Sequence, residues 1–108
     1  MGIFDSYQDD GAAHAEVVNA PHKASISHEL LAAAASFEAA KAYEKHVAAN
    51  GKPDSHATAK ELLAAFSGAF VDHMVETKGL DAIDKAKAKK AAAAKHDEVF
   101  TEEVFVES

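Results

Sequence analysis

The stretch Ser27–Glu44, SHELLAAAASFEAAKAYE, decides the fold. From Ser27 to Ala49 there is no proline or glycine, and nearly every residue is a strong helix former. Leu30, Ala33, Phe37, Ala40, Glu44 and Val47 recur at three- and four-residue steps. The opposite stripe is small: Ala32, Ala35, Ala39 and Ala42. A helix with one large apolar face and one alanine face can be packed on both sides, so this reads as the central helix with neighbours on each side. Its opening returns later, Glu29-Leu30-Leu31-Ala32-Ala33 as Glu61-Leu62-Leu63-Ala64-Ala65. The interval, about 32 residues, fits a helical-hairpin repeat, and chance in an alanine-rich chain fits equally well.

Outward from this stretch, stop and start signals divide the chain. Ser25 or Ser27 can cap the central helix, and Asn50-Gly51 with Pro53 ends it. Asp54 or Ser55 caps a third helix that runs to Lys78 with Gly79 as its stop. The connection between the two is short, which makes them antiparallel neighbours. The large stripe of the third helix reads Ala59, Leu62, Phe66, Ala69 or Phe70, and Thr77, with His73 on it. Gly68 inside that helix suggests a close crossing by another helix. A first helix runs from Asp9 or Asp10, whose charge suits a helix start, to Asn19, and Pro21 ends it. Asp81 caps a fourth helix reaching His96 or a little beyond. This predicts an all-α fold: a small antiparallel bundle of about four helices around a long central hairpin.

With 108 residues, a single domain spanning 1–108 is the default. Its N-terminus, about residues 1–8, reads as loosely ordered. Its C-terminal segment, about 97–108, is too apolar for a solvating tail, so it docks on the bundle or on a partner through Val99, Phe100, Val104, Phe105 and Val106. Much of the 48% hydrophobic content is alanine, so the core relies on few large side chains. Leu31, Tyr43, Leu63, Met74, Leu80 and Ile83 are among them. A thin core of this kind makes a homodimer a natural expectation.

The net charge is −7, and all 11 basic residues are lysine. Without arginine for bidentate contacts, nucleic acid is not an expected partner. Lysine and alanine dominate residues 84–95, which reads as a solvated face with an electrostatic patch as the alternative. No cysteine is present, which excludes disulfides and thiolate chemistry. No apolar run approaches membrane-spanning length, so no stable membrane insertion is expected and the cytoplasm is the default location. Met1-Gly2 with Ser6 fits a short myristoylation pattern, but Asp5, Asp9 and Asp10 stand where a second, basic signal is needed.

Chemistry rests on the histidines, of which there are seven. No metalloprotease or zinc-finger spacing occurs. Antiparallel packing of the hairpin brings His28 towards His73 and Glu76 at one end, with His22 near by. His46 and His56 come together at the other. Imidazoles with carboxylates suit a divalent transition metal, so His22, His28, His73 and Glu76 form one candidate set and His46 with His56 a second. His28 and His46 lie about 27 Å apart by helical rise and cannot share one metal. The plainer reading makes His28 and His56 first-turn residues, His46 and His96 helix-end residues favoured as cations by the dipole, and His73 a buried, satisfied histidine. No nucleophile elbow, phosphate loop or cysteine nucleophile is found. Ser27-His28-Glu29 is consecutive on a helix, so its side chains fan apart and cannot form a triad.

Ser27-His28-Glu29-Leu30, Ser36-Phe37-Glu38-Ala39 with Ala42-Tyr43-Glu44, Gly51-Lys52-Pro53 with Ser55-His56, Ala59-Lys60-Glu61-Leu62-Leu63, and Glu76-Thr77-Lys78-Gly79 resemble the fungal CipC-like proteins. These are antibiotic- and stress-response proteins named after a concanamycin-induced member. The resemblance covers roughly residues 22–96. It implies an intracellular protein linked to stress or growth state and fixes no biochemical activity. The leading expectation is therefore a non-enzymatic protein acting by binding or self-association, with an unknown protein or small-molecule ligand. A histidine-based metal- or haem-binding protein is the alternative, and a small helical enzyme using a His/Glu pair the second.

Overall fold

The computed structural model describes Tyr7 and residues 9–21, 26–79 and 82–107, with side chains in the last segment from residue 85. The expectations for the first residues, including Gly2, for His22 and Leu80, for the Asp81 cap and for Ile83 in the core fall outside these. Among the described residues five helices follow in order: α1 (Gly11–Asn19), α2 (His28–Asn50), α3 (His56–Lys78), α4 (Ala82–Val99) and α5 (Glu102–Glu107). No strand occurs among the described residues.

The caps are local chemistry. Ser27 accepts the Leu30 N–H at 3.1 Å, and Ser55 accepts that of Thr58 at 3.2 Å. Each bond satisfies one of the orphan donors of a helix start. Gly51 and Gly79 end α2 and α3 with φ of 87° and 71°, a region costly for any residue with a Cβ. α1 starts where the charges of Asp9 and Asp10 suit a helix N-terminus. Asp10 occupies the N-cap position, yet its side chain makes no cap bond and reaches Lys95 on α4 at 3.4 Å.

Side-chain pairs fix the directions. Leu31 shares a cluster with Val71 and Met74, and Tyr43 shares another with Ala59 and Leu63, so α2 and α3 are antiparallel. Asp72 pairs with Lys85 and Lys89 while Lys60 pairs with Asp97, so α3 and α4 are antiparallel too. His14 meets Glu38 at 2.8 Å and Val17 packs in the Leu31 cluster, which runs α1 against α2. Lys78 closes the far end of α1 by donating to the carbonyls of Val18 at 3.0 Å and Ala20 at 2.5 Å. α2 packs against α1, α3 and α4, the two-sided burial its alanine face foretold.

The enclosed faces are rotated from the sequence reading. On α2 the buried residues are Leu31, Ala32, Ala34, Ala35, Ser36, Ala39, Ala40 and Tyr43, while Leu30 and Phe37 lie at the half-buried margin. On α3 they are Ala59, Leu63, Ser67, Val71 and Met74, with Leu62, Phe66 and Phe70 half-buried. Small residues let the helix axes approach, and the Phe37, Phe66 and Phe70 rings lie at the margins of the seam while Tyr43 is enclosed. Gly68 does not mark a close crossing. A Cβ there would meet only the flexible Lys89 chain, at 3.8 Å. Gly11 is the tighter position, since a Cβ there would stand 3.3 Å from the Phe37 ring.

The core is in two parts. One holds Val17, Ile26, Leu31, Val71, Met74, Ala88 and Ala92 among others. The other holds Tyr7, Ala39, Ala40, Tyr43, Ala59, Leu63 and Phe100, with Val104 and Phe105 packed against it. Ser36, Ser67 and His96 are all buried, and on α2, α3 and α4 respectively each falls between the residues that serve the two parts. A polar layer therefore separates the cores.

Candidate functional site

On α4 and just beyond it, Ala88, Ala92, His96 and Phe100 recur every fourth residue and are all buried. That stripe carries His96 into the polar layer, where it is 1% exposed. Tyr7 Oη lies 2.6 Å from Nδ1, and Ser67 Oγ lies 2.5 Å from Nε2. Ser67 also donates its hydroxyl proton to the Leu63 carbonyl at 2.9 Å. Giving the Ser67 proton to the Leu63 carbonyl leaves the Nε2 proton for the bond between Ser67 and His96, the assignment that also gives the Tyr7 hydroxyl an acceptor. The tautomer follows from that: Nε2–H donates to Ser67, and Nδ1 accepts from the Tyr7 hydroxyl.

Electrostatics agree with a neutral ring. Burial pushes the His96 imidazole down to about 4, with Asp97 opposing and Lys95 adding to the shift. The sequence expectation of a cationic helix-end histidine is corrected here, because desolvation outweighs the dipole. Tyr7 is wholly buried, and burial raises its phenol above the usual range, helped by the Asp10 charge. Asp10 is raised chiefly by burial, with Lys95 opposing, and its Oδ2 has no hydrogen-bond partner among the described residues. Tyr43 is raised by burial too, and its hydroxyl is likewise unpartnered among them.

In this arrangement His96 has no free lone pair aimed at the serine. A general base must accept the nucleophile's proton, whereas here the ring donates to Ser67. A groove of about 320 Å³ between α3 and α4 has His96 in its wall, with Ala57, Lys60, Glu61, Ala64, Ala93 and Asp97. The Lys60–Asp97 pair, 3.0 Å apart, joins the two helices there.

A second concavity, about 470 Å³, lies at the hairpin end, with His46, Asn50, Lys52, Asp54, Glu61 and Leu62 among its walls. His46 is turned towards Asn50, 3.4 Å from its Nδ1, and sets its ring edge-on to Phe66. His56 faces elsewhere. Its Nε2–H donates to the Phe100 carbonyl at 2.6 Å, and its ring lies beside Phe100 and Phe105. The two are thus held by different neighbours.

At the opposite end His28 pairs with its neighbour Glu29 at 3.0 Å, while His73 and Glu76 are exposed on α3. His73 is therefore not the buried histidine of the bundle. Among the described residues no three His, Asp or Glu side chains converge in a way that could hold a metal ion. Sequence reasoning missed His14, which packs between the Phe37 and Phe70 rings while bonding Glu38. It also missed Tyr7 and His96. The signal for His96 was the four-residue spacing of Ala88, Ala92 and Phe100 around it. No periodicity could have flagged Tyr7, which precedes α1.

No helix among the described residues is long and apolar enough to cross a membrane. A family model described as "Virulence factor CipC-like" matches residues 13–103. No curated protein and no solved structure matches the chain.

Proposed function

The chain belongs to the CipC-like family, and from that premise we propose that it is a non-enzymatic, intracellular stress-response protein acting through binding or self-association. One observation carries the non-catalytic part. The Ser67 hydroxyl lies 2.9 Å from the Leu63 carbonyl as well as 2.5 Å from His96 Nε2, and we give its proton to the carbonyl and the ring's Nε2 proton to the bond between them. Such a pair supports packing and register and leaves the serine unactivated. A serine-directed fluorophosphonate tests this. Ser67 stays unlabelled in the native protein, and stoichiometric labelling of Ser67 would sink the reading.

Self-association is supported by a thin core, with alanine at Ala32, Ala34, Ala35, Ala39, Ala40, Ala59, Ala88 and Ala92 among its buried residues. Light scattering over a concentration series is expected to give a homodimer, and a monomer throughout rules that part out. The histidine-based alternative keeps one supporting fact. The hairpin register puts His28 at the same end as His73 and Glu76. Elemental analysis and a visible spectrum of natively purified protein decide it, since bare protein with no Soret band removes both metal and haem.

A further inference from the structure

The bend between α4 and α5 differs from the other turns. α2 and α3 are parted by residues 51–55, which include Gly51 and Pro53, and Gly79 ends α3, each glycine with positive φ. Only Phe100 and Thr101 part α4 from α5, and no glycine or proline occurs from Ala82 to Ser108. The helical ladder runs up to the bend and resumes at once. Phe100 N–H donates to the His96 carbonyl at 2.9 Å, and Phe105 N–H to the Thr101 carbonyl at 3.0 Å. Thr101 caps the restart by accepting the Val104 N–H at 3.3 Å. Thr101 as the cap, with Glu102 and Glu103 in the first turn, marks a new helix start, and the arm's tertiary contacts hold the bend with it.

Val104 and Phe105 pack against the cluster around Tyr43 and Leu63, and the arm's polar and ring contacts gather at Lys52, His56 and Phe100. The Phe105 ring lies 6.2 Å from Phe100 and 5.9 Å from His56. The Lys52 ammonium stands 4.6 Å over the Phe105 ring and donates to the Val106 carbonyl at 3.0 Å. The seat is basic at Lys52, and the arm carries Glu102, Glu103 and Glu107. Val106 stays 66% exposed.

We propose that two copies of this chain exchange these arms, which rests on the self-association reading above. Straightening at Phe100–Thr101 joins α4 and α5 into one helix, about 39 Å long at 1.5 Å per residue. Phe105 is carried off its own body, and Thr101–Glu107 of the second copy fills the seat between Lys52 and His56. The occupant is a second copy because the seat already fits this arm in shape and charge. Reciprocal exchange regains every docking contact and adds the helical bonds that the bend interrupts.

The chain has no cysteine, so Lys52→Cys and Val106→Cys each carry a single thiol. The two variants are mixed at high concentration, equilibrated and treated with a short bismaleimide. A heterodimer linked from position 52 to position 106 is expected. Thr101→Ala removes the α5 cap and favours the continuous helix, so it should raise the dimer association constant by roughly tenfold. A dimer by light scattering without the 52-to-106 link, or one indifferent to Thr101→Ala, overturns the exchange and leaves self-association standing. A monomer at every concentration overturns both.

Discussion

Acid should weaken this fold through His96 before the carboxylates do so. The ring sits near 4 in the folded protein against an ordinary 6.5. Its folded value is depressed, so above about pH 6.5 the ring is neutral in both states and stability is full. As pH falls from there towards 4, the unfolded chain takes up a proton that the folded chain refuses, and stability is lost. At 1.36 kcal/mol per pH unit of difference, the loss is roughly 3 kcal/mol by pH 4, a large share of the 5–15 kcal/mol that holds a small domain. The groups facing the ring are Tyr7 before α1, Ser67 on α3 and Lys95 and Asp97 on α4, with Asp10 near Tyr7 and Lys95. Asp10 works the other way. Its folded value is raised, so protonation favours the folded state as pH falls. The assay is urea unfolding at steps from pH 7.5 to 4 for the wild type and His96→Leu. The variant starts lower, because Tyr7 Oη is left buried without its acceptor, at about 1–3 kcal/mol. Its stability must then fall less than the wild type's across the window. Parallel curves, or an NMR titration of His96 near 6.5, would falsify the buried neutral tautomer.

Three substitutions test the packing. Gly68→Ala should stabilise by about 0.5–1 kcal/mol, since the Cβ meets only Lys89 and helix propensity improves; thermal unfolding reads it as a higher Tm. Leu63→Ala empties the middle of the Tyr43–Phe100 cluster and should cost about 2–5 kcal/mol by urea denaturation, where a loss below 1 kcal/mol would place Leu63 outside the core. Lys78→Met removes both bonds to the end of α1, and hydrogen exchange should quicken in Gly11–Asn19 while Ala59–Val71 keeps its protection.

Helix bounds were legible because their signals are local. Ser27, Ser55, Gly51 and Gly79 announce ends by their own side chains or backbones, and the structure places caps at all four. The bundle was legible too, because the Asn50–Asp54 connection leaves antiparallel packing as the short solution. The faces were less so. The stripe of α3, drawn through Ala59, Leu62, Phe66 and His73, kept Ala59 in the seam but missed Leu63, Ser67 and Val71, which close helix approach favours there. Size and enclosure are different properties in an alanine-rich bundle. The site was the least legible part. The histidines were grouped by where the hairpin brings them, yet the enclosed one, His96, takes a partner from residue 7, which is 89 positions away in the chain.

The polar layer answers a problem that the alanine seam creates. Alanine against alanine is nearly the same contact one helical turn along, so an alanine seam fixes register weakly. Within the polar layer, Ser67 and His96 remove that freedom. Ser36 satisfies itself on the Ala32 carbonyl at 2.9 Å and would fit several registers. Ser67 and His96 would not, since sliding α4 by one turn parts Nε2 from Ser67 and Nδ1 from Tyr7 together. Each buried polar atom left unpaired costs about 1–3 kcal/mol, so a slip loses more than alanine contacts could return. The same bonds hold the N-terminal segment, because Tyr7 reaches its acceptor only when α3 and α4 are in register. Tyr7 then completes the cluster around Tyr43 and Leu63, in the part of the core where the helices themselves supply mostly alanine.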